Sequence, residues 1–113
     1  MGTASKMYFG QLFLPGSMVL VTLNHPREKF LGMLLALDQA GIALRGIDLQ
    51  SLEDFALLMK SGEAAVPSVV FFPMHRIERV ELDARNGEIP SLAEQFAAKS
   101  GRPASHFFRE PEP

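Results

Sequence analysis

The sequence predicts a mainly β domain: a small, strongly bent five-stranded antiparallel barrel that carries one inserted short helix and a C-terminal helix. Three observations predict it. Five apolar, β-branched or alternating segments lie between residues 18 and 82, each flanked by turn-forming residues. Gly32 falls inside the second of them, where a glycine weakens a strand unless the backbone must bend sharply or approach something closely. Two stretches with helical spacing occur, one between the third and fourth segments and one after the fifth.

The bulk properties agree with a single folded unit. A chain of 113 residues has room for one core, because two domains of half that size would each bury too little surface. With 47% hydrophobic and 21% charged residues, the composition is globular rather than disordered. The absence of cysteine excludes a disulfide framework, a thiolate zinc site and a cysteine nucleophile. A formal net charge of -2 supplies no overall field for nucleic acid, so any phosphate contact would have to come from a local basic cluster. The N-terminal apolar stretch that begins at Met7 is broken by Gly10, Gln11 and Pro15, and no run approaches the roughly 20 residues of a membrane span. A cytoplasmic protein with no signal peptide and no membrane contact is expected.

Residues 18–23 (Met-Val-Leu-Val-Thr-Leu) lie between Pro15-Gly16-Ser17 and Asn24-His25-Pro26 and read as the first strand. Residues 29–37 form the second and residues 41–49 the third, with Asp38-Gln39-Ala40-Gly41 closing the hairpin between them. Ser51 looks like a helix N-cap. Glu53 and Asp54 favour the positive end of the helix dipole, Leu52, Phe55, Ala56 and Met59 follow at helical spacing, and Gly62 ends the helix. Residues 66–72 then read as a buried strand with Pro67 near its start and Pro73 at its end, and residues 76–82 follow as the fifth strand. Beyond Leu82, Arg85-Asn86-Gly87 is a turn, and Ser91 and Glu94 have the spacing of a capping box for a helix that Gly101 and Pro103 end. Phe107 and Phe108 would be odd in a free tail and are expected to dock on the domain or on a neighbouring subunit. The chain divides into an N-terminal arm (1–16), the β domain (17–83) with its helical insert at about 51–61, and a C-terminal extension (84–113) whose residues 110–113 read as disordered.

Gly32, Leu34 and Asp38 stand as a glycine, an apolar residue two later and an aspartate at the following turn. In the later part of the chain, residues 69–80 run as an apolar strand, a tight turn with a histidine at position 75 and a short last strand. In these features residues 17–82 resemble the Sm-like family, which includes Lsm proteins and bacterial Hfq. The resemblance implies an SH3-like Sm barrel, assembly into a homo-oligomeric ring, and RNA contact through pore-side turns, with His75 at the position of the Hfq histidine. The first turn, Asp38-Gln39-Ala40-Gly41-Ile42, lacks the asparagine that follows the aspartate in uridine-binding members, and His75-Arg76 stands where those members carry Arg-Gly. The helical insert and the C-terminal extension add to the minimal family pattern.

The site residues follow from these readings. Met74, His75, Arg76, Asp38 and Gln39 are the candidate RNA-contacting residues. The alternative for Arg76 and Arg79 is pairing with Glu78, Glu81 or a neighbour's acid. Asp38 reads as a turn aspartate rather than a general base. Arg27-Glu28-Lys29 reads as a solvated loop, one acid between two bases. Val69, Val70, Phe71 and Phe72 on one strand and Ile77, Val80 and Leu82 on the other are the candidate oligomer interface, because an apolar edge strand requires a partner and a head-to-tail contact closes a ring on rotation. His25, His75 and His106 lack ligand spacing, so no metal is expected. No phosphate loop, nucleophile elbow or carboxylate pair is present, so neither catalysis nor a cofactor is expected. Two functions stay open: a ring that binds RNA, and a protein-interaction scaffold that uses the ring without RNA and contacts a partner through the C-terminal extension.

Overall fold

The computed structural model describes residues 12–63 and 65–109. The greater part of the expected N-terminal arm, residues 1–11, and the expected disordered end, residues 110–113, lie outside the described residues. Five strands form: β1 (Met18–Leu23), β2 (Glu28–Leu37), β3 (Gly41–Asp48), β4 (Ser68–Pro73) and β5 (Ile77–Leu82). Among the described residues, helices α1 (Leu52–Lys60), α2 (Leu92–Ser100) and α3 (Ala104–Phe108) accompany them. All neighbouring strands are antiparallel, in the order β4-β3-β2-β1-β5. β4 and β5 therefore stand at the two ends of an open sheet.

That sheet is folded over on itself. Phe30 pairs with Asp48 at one end of β3, and Phe72 pairs with Ile42 at the other. The six steps from Ile42 to Asp48 would span about 20 Å of flat strand. Yet the rings of Phe30 and Phe72 lie 4.9 Å apart, centroid to centroid. The corner coincides with Gly32 and Gly46, which face each other across the β2–β3 pair. A Cβ on Gly32 would stand 2.7 Å from the Arg45 carbonyl oxygen, and one on Gly46 would stand 2.6 Å from that of Leu31. The bend expected from Gly32 thus needs a second glycine.

Alternation along the strands then builds two cores. The concave face buries Val19, Val21, Leu23, Leu34, Ile42 and Leu44, with Phe13, Phe30, Val70, Phe72, Ile77 and Val80 packed around them. Each of the fully buried aliphatics contributes ~1.5–3 kcal/mol relative to exposure. The convex face carries Leu31 and Ile47, which pack with Ala56 of α1, Phe96 of α2 and Phe107 and Phe108 of α3. The C-terminal aromatic pair therefore docks on its own domain, one of the two outcomes anticipated for it.

Three local expectations are corrected. Ser51 has no side-chain capping bond, because a 3-10 turn (Leu49–Ser51) already holds it in helical conformation. Asp48, still extended at the end of β3, caps that turn by accepting from the Gln50 N–H at 2.8 Å. β4 begins at Ser68, after Pro67, and alternates between half-buried and exposed positions instead of being buried throughout. As the end strand it has one convex side left without cover. Arg76 belongs to a second 3-10 turn (Met74–Arg76), so β5 starts one residue later, at Ile77.

Candidate functional site

The two turns singled out in the sequence meet at one end of the sheet. The Asp38 carboxylate folds back to accept the Ala40 N–H at 2.8 Å, and the Asp38 N–H donates to the Gly41 carbonyl at 3.1 Å. Gly41 pairs with Pro73, the last residue of β4, and the Met74 N–H donates to the Ala40 carbonyl at 2.9 Å. Gly41 suits this junction because a Cβ there would stand 2.1 Å from the Phe72 carbonyl oxygen. Asp38, Gln39, Met74 and His75 are consequently exposed side by side. Together they offer an amide, an imidazole and a thioether. Asp38 holds the turn through its Oδ1, as expected of a turn aspartate.

Arg76 points elsewhere. Its guanidinium donates to the carbonyls of Asn24 and Pro26 and forms an ion pair with Glu28 at 2.9 Å. It thereby ties the Met74–Arg76 turn to the loop between β1 and β2. Its acid is Glu28 rather than Glu78 or Glu81. Arg79 does pair with Glu81, at 3.1 Å, and Glu78 pairs with Arg27 at 3.6 Å. These last two bridges are largely exposed and contribute little stability. Glu28 and Lys29, expected in a solvated loop, are instead half-buried at the start of β2, and with Arg27, Pro26, Asp48, Leu49 and Gln50 they line an open groove of about 540 Å³. Its charges balance, with Glu28 and Asp48 set against Arg27 and Lys29.

The candidate interface residues divide by face. Val70, Phe72, Ile77 and Val80 pack into the concave core. Val69 and Phe71, on the convex side of β4, are 62% and 56% exposed. Leu82, at the end of β5, is 41% exposed. The sequence reading missed Ile89, which is 64% exposed in the loop after β5, and Arg45, the cross-strand neighbour of Val69, which makes no ion pair among the described residues. Ile89 sits between Glu88 and Pro90, where no periodicity marks it. Arg45 interrupts the apolar run of β3, a signal that was available.

Among the described residues no three histidines or carboxylates gather as a metal site. No described helix is long and apolar enough to cross a membrane. Away from the turns, the Ser91 backbone N–H holds the Glu94 carboxyl below its ordinary pKa, with the Arg85 guanidinium assisting. No family model, curated protein or solved structure matches the chain.

Proposed function

We propose that this protein is a cytoplasmic, ring-forming, Sm-like homo-oligomer that presents the joined Asp38–Gly41 and Met74–Arg76 turns of each subunit to RNA. The observation that carries the reading is the hydrogen bond from the Met74 N–H to the Ala40 carbonyl. It makes one exposed surface of two turns that lie more than thirty residues apart in the chain. The sheet order supports assembly. Among the described residues β4 and β5 each keep one unpaired edge, and an apolar edge strand such as β4 is satisfied by pairing with another copy. In a ring, one weak contact is repeated around the axis and gains by multivalency.

Arg76 is engaged by its own chain, so the direct contact falls to His75, Gln39 and Met74. Native mass together with fluorescence-anisotropy titration of single-stranded oligouridine and oligoadenine tests this. The expected result is a particle of several chains that binds at low salt. The double substitution His75→Ala with Gln39→Ala should weaken binding by about tenfold or more, because the loss recurs in every subunit. Binding unchanged in that variant, or absent from the wild type at low salt, removes the RNA assignment.

The second reading, a scaffold for protein contacts, is favoured by the electrostatics. The net charge is -2, and the cation nearest the joined turns, Arg76, is already neutralised by Glu28. An assembled ring that purifies free of nucleic acid and ignores both oligonucleotides would support it.

A further inference from the structure

The register shows which way the side chains of the two end strands point. Val69 pairs with Arg45 and Phe71 with Ala43, so both lie on the convex face of the sheet. At the other end of the order, Leu20 pairs with Glu81, and this pair also lies on the convex face. The segment after β5 crosses that face. With Leu20, Glu81 and Leu82 it encloses a groove of about 260 Å³ whose far wall is Ile89, Pro90 and Leu92.

Two devices hold this wall in place. Asn86 and Ile89 exchange backbone hydrogen bonds, both 2.9 Å, which fixes the loop that carries Ile89. The Asp83 carboxylate accepts the N–H groups of Leu92 and Ala93, both at 2.8 Å, which pins the start of α2 beside β5. The groove is therefore built by the fold, and Ile89 on its wall is left 64% exposed.

We propose that this groove is the receptor for Val69 and Phe71 of a second copy of the chain, so that the C-terminal extension forms one half of the subunit interface. The inference rests on the edge-pairing reading above and names its specificity element. A copy is the occupant because one chain carries both halves: among the described residues, an unpaired edge on β4 with Val69 and Phe71 exposed beside it, and an unpaired edge on β5 flanked by a groove that Leu20, Ile89, Pro90 and Leu92 help to line. Charge agrees as well. Arg45 flanks Val69 and Glu88 flanks Ile89, and neither makes an ion pair among the described residues. Docking Val69 beside the groove would bring these opposite charges to the same rim. The helical extension would then select the neighbour, admitting only an edge strand with large apolar side chains on its convex face.

The chain has no cysteine, which makes the test direct. Phe71→Cys and Ile89→Cys, combined in one chain at two exposed positions, should give a ladder of covalent multimers with a short bis-maleimide. Each single variant should not, nor should Leu57→Cys combined with Ile89→Cys. Ile89→Asp should raise the concentration at which half the chains are assembled by about tenfold or more. A multi-chain native mass with no ladder, and with assembly unmoved by Ile89→Asp, overturns the groove and leaves edge pairing standing. A single-chain native mass at high concentration overturns both.

Discussion

Thr22 shows how much a single residue can be at odds with its surroundings. Its side chain is fully buried on β1, and its hydroxyl has no hydrogen-bond partner among the described residues. A buried unsatisfied hydroxyl costs about 1–3 kcal/mol. Thr22→Val keeps the branched shape and removes the polar atom, so it is expected to raise the unfolding free energy by about 1 kcal/mol in a urea titration. Arg76 is the opposite case, a long cation whose donors are consumed by the Asn24 and Pro26 carbonyls and by Glu28. Arg76→Ala is expected to cost about 1–3 kcal/mol, because it strands those acceptors. Combined with Glu28→Ala in a double-mutant cycle, it should show a coupling of at least about 0.5 kcal/mol. A loss of RNA binding in Arg76→Ala would therefore report a loosened turn as readily as a lost phosphate contact, which is why His75 and Gln39 carry the binding test. Asp38 as a turn residue was legible in the sequence, since an aspartate opening a short turn has few other uses. The partners of Arg76 were not, because they lie about fifty residues upstream.

Among the elements, the start of α2 is the most completely determined. Ser91 Oγ accepts the Glu94 N–H at 3.0 Å, and the Glu94 carboxylate accepts the Ser91 N–H at 2.7 Å. Asp83 takes the N–H groups of Leu92 and Ala93. All four N–H groups that a helix start leaves without partners are thus satisfied. The capping box could be read from the spacing of serine and glutamate. The contribution of Asp83 could not, since it depends on how the loop after β5 returns. The Glu94 carboxyl has its folded-state pKa below the ordinary 4.5. Its contribution is therefore fully present above that value and is lost as pH falls through the lower folded-state pKa. Glu94→Gln should remove this part of the acid sensitivity: the variant's stability, followed by urea midpoint, should fall less than the wild type's between neutral pH and the acid range. Equal slopes for the two proteins would mean that the capping carboxylate does not titrate with folding.

For the molecule as a whole, the bent sheet needs both of its cores, and the C-terminal extension closes the second. Phe108 is fully buried, with its ring 5.8 Å from that of Phe96 and 4.9 Å from that of Phe107. Phe108→Ala is expected to cost about 3–5 kcal/mol, the range for a buried aromatic truncated in a packed core. Thermal unfolding should show this as a large drop in Tm within a single transition. A small separate transition with an intact β domain would instead mean that the extension folds as an appendage. Because this segment is part of the core, truncation after Gly101 would test stability before it tested any partner. Among the described residues Val69, Phe71 and Ile89 belong to the exposed apolar side chains, as do Val66, Leu57 and Leu14.

The amino-acid sequence by itself determined what is local. The order of the strands with α1 and α2, the turn at Asp38, the capping box at Ser91, the stop at Gly101 and the need for a bend at Gly32 all rest on residues within a few positions of one another, whereas α3 was not foreseen. Tertiary structure alone decided which partner each long-range group found: Gly46 opposite Gly32, Glu28 for Arg76, Asp83 for the start of α2, and the convex rather than concave side for Val69 and Phe71. The physical reason is that hydrogen bonds within a turn are set by backbone dihedrals a sequence can specify directly. Register and curvature depend on the packing of the whole sheet, where a shift of one residue exchanges the two faces.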